Sequence, residues 1–313
     1  MTGPVRVAAI DCGTNSIRLL VADVDPAAGT LTDLDRRMEI VRLGQGVDRT
    51  GRLAPDALER TFAACRAYAE VIRDLGAEHV RFVATSASRD AENREEFVAG
   101  VRKLLGVEPE VVSGDEEAGL SFSGATRELL GRPEMDAPFL VVDIGGGSTE
   151  FVLGGHRVEA ARSVDVGCVR MTERHLTADP PRPEQVAAAR ADIEEAIDLA
   201  AQTVPIASAR TLVGLAGSVT TVAGIALELP AYDSTRIHHS RIPAATVHAV
   251  THRLLHSTHA EREAIPVMHP GRVDVIGAGA LVLTAIVDRL GVPEVVVSEH
   301  DILDGIAWSL TRC

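Results

Sequence analysis

Two carboxylates, Asp143 and Glu150, flank the turn Gly145-Gly146-Gly147-Ser148. Consecutive glycines let backbone N–H groups turn inward without Cβ clashes, and such a concavity holds anions. A carboxylate at a strand end holds a hard cation, directly or through water. Strand alternation puts Phe151 and Leu153 on one face and Glu150 on the other, toward whatever the loop holds. The plain alternative is a glycine-rich hairpin with a solvated Glu. A third carboxylate lies in Ser113-Gly114-Asp115-Glu116-Glu117-Ala118. Ser113 and Glu116 have the spacing of a capping box, which occupies Glu116 locally and leaves Glu117 free to face a cleft. Near a helix N-terminus its carboxylate is favoured in the ionised form that a general base requires. Two acidic residues complementing a helix dipole would look the same. In Thr85-Ser86-Ala87-Ser88-Arg89-Asp90, small hydroxyl residues at a strand-to-helix junction offer phosphate ligands, with Arg89 adding charge. Plain N-capping with a surface Arg is the rival reading.

The elements that position these residues repeat. Leu140 to Leu153 has a counterpart in Ala8 to Val21, where Asp11 aligns with Asp143, Gly13 with Gly145 and Ser16 with Ser148. Both copies read strand, Asp-x-Gly-x-x-Ser turn, strand. Two copies imply two similar halves, each offering a phosphate-sized loop to a shared cleft.

Strands are expected over 5–10, 17–24 and 31–41, then a glycine loop at 42–47 that serves as lid or connector. Pro55 and Gly76 bound a helix. Strands follow at 79–84 and 108–112, and a helix runs from Ser113 to about Leu130. The segment 131–138, with two prolines, is the expected boundary between halves, giving domains 1–130 and 131–300. In the second half, a long helix spans 184–203 and a strand 211–216 leads into Gly217-Ser218-Val219-Thr220-Thr221. A buried helix follows over 273–290, with Gly277 and Gly279 at a close contact. Arg236-Ile237-His238-His239-Ser240-Arg241 is the densest basic segment, which Arg262, His269 and Arg272 could join as an anion patch. Adjacent histidines on one element rarely ligate together, so no metal site is assigned there.

The 313 residues suggest two domains, and 46% hydrophobic with 24% charged residues is ordinary for a globular protein. A formal charge of −14 and 3% aromatics argue against a nucleic-acid binder. No apolar run approaches a membrane span. The four scattered cysteines and an N-terminus without a signal peptide point to the reducing cytoplasm.

The paired loops resemble those of the sugar kinase, Hsp70 and actin superfamily. Their wording, with Ser113-Gly114-Asp115-Glu116-Glu117-Ala118, is similar to the exopolyphosphatase and guanosine pentaphosphate phosphohydrolase family. The resemblance covers most of the chain, including Ala216 to Thr221 and the ending from Ser298 to Trp308. It implies an α/β fold of two ribonuclease H-like domains with an interdomain cleft, the final helix 301–313 packing back on the first domain. It implies Glu117 as catalytic base and Asp143 and Glu150 as ligands of Mg²⁺, or Mn²⁺, with Glu150 also positioning water. Phosphoryl oxygens would meet the amides of Thr14, Asn15, Ser16, Gly145, Gly146, Gly147 and Ser148, with Arg89 adding charge. The implied substrate is inorganic polyphosphate, with guanosine pentaphosphate or a non-catalytic alarmone sensor as alternatives, and the expected assembly is a homodimer. The chain looks like the short, two-domain form, so short polyphosphates and dissociation after few cleavages are expected.

Overall fold

The computed structural model describes residues 3–130, 132 and 135–311. Of the expected boundary segment, residues 131, 133 and 134 lie outside the described ones. The chain divides into two compact units. One runs to Gly124 and takes in the segment from Ile302; the other is Ala125–Asp301. The division falls within the helix Gly114–Thr126, earlier than residues 130 and 131.

The first unit holds strands β1 (Val5–Cys12), β2 (Ser16–Asp25), β3 (Thr30–Ile40), β4 (His79–Ala84) and β5 (Glu110–Val111) in the order β3-β2-β1-β4-β5. β1 to β3 form an antiparallel meander, and β4 and β5 run parallel to β1. β1 is buried on both faces from Val7 onward, as an interior strand of a covered sheet should be. Ile10, Ile17 and Leu19 pack with Tyr68 of the helix Pro55–Leu75 and Phe97 of Arg94–Leu105. The first of these helices starts on Pro55 and ends on Gly76, whose left-handed backbone closes it. On the other face, Val7, Ala9 and Leu20 pack with Leu120 and with Ile302, Leu303 and Ile306 of the helix Ile302–Ser309. Gly305 lies so close to the Leu120 carbonyl that a Cβ would collide with it. The final helix thereby fixes the helix that carries Glu117.

The second unit repeats the plan. β6 (Phe139–Ile144), β7 (Thr149–Gly154), β8 (Val158–Val164), β9 (Thr211–Leu215), β10 (Arg241–Pro243) and β11 (Glu294–Val297) lie in the order β10-β11-β9-β6-β7-β8. β6 to β8 form the meander and β9 and β11 the parallel strands, while β10 is an added antiparallel edge. Each sheet thus has three antiparallel strands followed by parallel ones, the ribonuclease H-like arrangement. Leu140, Val142, Phe151 and Leu153 face the helices Pro183–Ala201, Ala216–Ala226, Ala244–His256 and Ile276–Leu290. The sequence reading has no strand at β8, an edge strand whose Val158-Glu159-Ala160-Ala161-Arg162-Ser163-Val164 is largely solvent-facing and weakly patterned. No helix among the described residues is long and apolar enough to cross a membrane.

Candidate active site

In the second unit, Asp143 and Glu150 are direct cross-strand partners in the β6–β7 ladder. Their side chains share one face of the sheet, with Cβ atoms about 4.5–5.5 Å apart. Both are buried, Glu150 to 1% exposure, and Ser163 Oγ of β8 donates to Glu150 Oε1 at 2.7 Å. Like charges set opposite each other in a sheet repel. An all-oxygen pair of this kind suits a hard divalent cation, which would convert the repulsion into shared ligation.

The loop between them is held by its carbonyls. Cys168 N donates to Gly145 O, Val169 N and Arg170 N to Gly146 O, and Arg170 Nε to Gly147 O at 2.7 Å. A trans peptide points its C=O and N–H in opposite directions. Fixing the carbonyls of 145, 146 and 147 on one side therefore aims the amides of Gly146, Gly147 and Ser148 to the other, where an anion would sit. The fit admits no side chain at Gly167, whose Cβ would lie 2.5 Å from Gly146 O. Across the turn, Gly145 N donates to Ser148 O at 3.0 Å.

The first unit builds its loop in the same way. Gly13 N donates to Ser16 O at 2.9 Å. Val41 N and Arg42 N donate to Asn15 O, and Gly44 N to Thr14 O. The amides of Asn15 and Ser16 consequently point away from segment 41–44. That segment, expected as a lid or connector, is a strap on the loop, and Gly44 seats against Thr14 with no room for a Cβ. Thr14 Oγ1 and Ser86 Oγ share a buried hydrogen bond of 2.8 Å, tying the loop to the 85–90 junction. Asp11, however, faces Arg18 across the β1–β2 ladder, and Arg18 Nη2 donates to Asp11 Oδ2 at 2.6 Å.

Glu117 is buried while Glu116 is exposed. Ser113 Oγ accepts from Glu116 N at 3.2 Å, half of the expected capping box. The other half is replaced: Arg81 Nη2 donates to Glu116 Oε1 at 2.7 Å. Arg89 Nη1 bridges Glu117 Oε2, at 2.6 Å, and the Val112 carbonyl, at 3.0 Å. Arg89 therefore sets the orientation of Glu117, a link that the sequence reading, which has it adding charge beside phosphate, does not contain. Burial pushes the Cys12 thiol well up, so this neighbour of Asp11 is no nucleophile at neutral pH.

The basic segment does not gather as a patch. Buried Arg262 donates to the Val273 and Ser257 carbonyls and to Asp179. Arg241 pairs with Glu294. Arg272 instead packs its guanidinium on Gly217 and donates to Thr221 Oγ1 at 3.1 Å, bringing a cation to the third glycine loop. Gly279 meets Ser218 and Cys168 without space for a Cβ, the close contact expected in that helix.

Glu128 gathers two histidines, His238 Nε2 at 3.0 Å and His300 Nδ1 at 3.6 Å. Glu299 N donates to His238 Nδ1, which leaves the ring proton on Nε2, facing Glu128. A metal at Nε2 would need the opposite tautomer, so the group is a hydrogen-bonded cluster. Burial opposes the Glu128 charge, but the histidines outweigh it and hold the carboxyl below its ordinary value. Burial, with His238 beside it, pushes His239 down to about 4.

Ser163 and Arg170 are absent from the expected site. The internal duplication carried a usable signal for Ser163: the first hairpin is followed by a third antiparallel strand, so the second should be too.

A model of the Ppx/GppA phosphatase family matches residues 20–312. Exopolyphosphatase 2 of Mycobacterium tuberculosis is 52% identical over 316 aligned residues, spanning 97% of this chain and 98% of that protein. Among solved structures, an exopolyphosphatase-like protein superposes with a TM-score of 0.94 at 46% identity, covering 98% of this chain and 97% of that one. The Ppx/GppA enzyme of Aquifex aeolicus gives 0.81 at 29% identity, covering 98% and 99%.

Proposed function

The chain belongs to the Ppx/GppA phosphatase family, and from that premise we propose that it is an exopolyphosphatase, removing the terminal phosphoryl group of inorganic polyphosphate with the help of a divalent cation. The observation that carries this reading is the buried carboxylate pair Asp143–Glu150 beside a loop with its amides aimed outward. Cation ligands next to an anion-binding loop suit a polyanion that must be partly neutralised to bind a chain of charge −14.

Asp143 and Glu150 would hold the cation, Mg²⁺ or Mn²⁺, both of which take hard oxygen donors. When bound, it supplies charge stabilisation to the phosphoryl oxygens. The amides of Gly146, Gly147 and Ser148, with those of Thr14, Asn15 and Ser16, bind and orient those oxygens; Gly145 closes the turn. Positioning and charge stabilisation make up most of phosphoryl-transfer catalysis. Glu117 takes the proton from the attacking water as its oxygen bonds to the terminal phosphorus. The bridging P–O bond breaks, and the shortened chain leaves with that oxygen. Glu150 helps orient the water, and Arg89 holds Glu117 in place. The buried thiols of Cys12, Cys65 and Cys168 suit a reducing, cytoplasmic setting.

The test is phosphate release from polyphosphates of defined length, guanosine pentaphosphate and ATP, with Mg²⁺, Mn²⁺ or EDTA. Release from polyphosphate that EDTA abolishes is expected, and the negative surface favours short chains. Faster release from guanosine pentaphosphate would replace the substrate. Ligand binding without any release would replace the enzyme by a sensor.

A further inference from the structure

The structure assigns Arg170 as the positioning residue of the second phosphate loop. This inference rests on the phosphohydrolase reading of that loop and extends it to a residue outside the turn. Among the described residues of the 145–147 strap, Arg170 adds a side-chain bond to its backbone one. Its backbone N donates to Gly146 O at 3.1 Å, and its Nε to Gly147 O at 2.7 Å. The peptide linking Gly147 to Ser148 is planar and trans, so the bond to Gly147 O sets the direction of the Ser148 amide. Gly147 and Ser148 are buried, and Arg170 is half-buried, so the bond is screened little by solvent. The rest of the strap is backbone and survives any substitution at 170 other than proline. Ser148 also accepts from Gly145 N through its own carbonyl, which fixes the turn but not the orientation of the preceding peptide. A side chain at 170 without a donor would free that peptide to rotate and remove one amide from the anion site.

The test compares wild type, Arg170→Lys and Arg170→Met. Three measurements are made: tripolyphosphate binding by calorimetry, kcat and KM for tripolyphosphate with Mg²⁺, and the unfolding midpoint without ligand. For Arg170→Met, tripolyphosphate binding should weaken about tenfold or more, tenfold being the low end for one hydrogen bond to a charged group, and kcat/KM should fall at least as far. The ligand-free midpoint should move by only a few degrees. Arg170→Lys, which keeps a donor, should recover part of both. Wild-type binding by Arg170→Met overturns the assignment. So does a loss that Lys fails to rescue and that follows the unfolding midpoint. Wild type that binds tripolyphosphate without releasing phosphate sinks the hydrolase reading alone, since the binding series still tests Arg170. Wild type that does not bind sinks both.

Discussion

The hairpins β1–β2 and β6–β7 are built alike and charged differently. In each, Asp is the penultimate residue of the strand, a glycine donates across the turn to a serine carbonyl, and neighbouring chain straps the loop carbonyls. In each, the residue seven positions after the Asp stands opposite it in the ladder. That residue is Arg18 in the first hairpin and Glu150 in the second. The first aspartate is neutralised by the chain itself, at 2.6 Å. The second faces another buried carboxylate. The same backbone plan therefore yields an anion loop that carries its own counter-charge and another suited to an external cation. On the proposed reading, the residue at this cross-strand position decides which hairpin takes the cation, since Arg18 answers Asp11 whereas Glu150 stands opposite Asp143.

The largest effect should come from erasing the charge of the second hairpin. Asp143→Asn combined with Glu150→Gln should lower kcat/KM about 10⁴-fold, the several kcal/mol of charge stabilisation that a cation supplies. Each single variant should raise the Mg²⁺ concentration needed for half-maximal rate. Steady-state phosphate release across a Mg²⁺ titration checks this, and a double variant with wild-type Mg²⁺ dependence would break the contrast between the hairpins. Next in size is Glu117→Gln, which should cost about 10³-fold, within the ~10²–10⁴ typical of a positioned base. Glu116→Gln is its control. With its carboxylate on Arg81, it should stay within about threefold, as surface substitutions do. Equal losses from the two variants would count against Glu117 as the base.

The parts of this design readable in the sequence are the local ones. Asp143, the glycines and Glu150 lie within eight residues, and their chemistry follows from spacing. The repeat of that spacing at Asp11 predicts two like sheets, because a strand-turn-strand unit sets its own register. The missing parts depend on register or tertiary contact. Alternation shows which face Glu150 uses; only the ladder shows that Asp143 is its partner and that Arg18 answers Asp11. Ser163 hides on an exposed edge strand with little alternation. The straps at 41–44 and 167–170 act through backbone bonds, which no residue type announces. Glu116 reads as a capping residue because S-x-x-E is a local pattern, whereas Arg81 reaches it from 35 positions away.

A third experiment acts on the first hairpin. Arg18→Met removes the guanidinium from Asp11, which is 5% exposed. Breaking a buried pair on one side costs about 3 kcal/mol or more, because the remaining charge stays desolvated. Arg18 retains some exposure, so a loss of about 2–3 kcal/mol in denaturant-derived stability is expected. Adding Asp11→Asn should restore about half of it. The sharper version is Arg18→Glu, which copies the second hairpin's charge pattern into the first. It should make stability depend on Mg²⁺ at a pH high enough to keep both carboxylates ionised, since a bound cation then relieves the new repulsion. If Mg²⁺ leaves the unfolding midpoint of Arg18→Glu unchanged, a pair of opposed carboxylates is not sufficient to recruit a cation, and the reading of Asp143–Glu150 weakens with it.

Among the variants of the two hairpins, the smallest effect should come from Ser163→Ala. Ser163 Oγ donates to Glu150 Oε1 at 2.7 Å from a neighbouring strand. The hydroxyl does two things. It satisfies one lone pair of a carboxylate that is 1% exposed, and it fixes the carboxylate's rotation. A hydrogen bond to a charged group is worth about 1.5–3 kcal/mol, but a cation bound at the same carboxylate compensates for part of its loss. The net change should be about tenfold, seen in the Mg²⁺ concentration for half-maximal rate more than in kcat at saturating Mg²⁺. Partners that orient metal-ligating carboxylates act in this way, through affinity before rate. A fall in kcat at saturating Mg²⁺ with no change in the Mg²⁺ midpoint would place Glu150 on the water and not on the cation. The second hairpin would then hold its cation through Asp143 alone, and the cross-strand pair would divide into one ligand and one catalytic group.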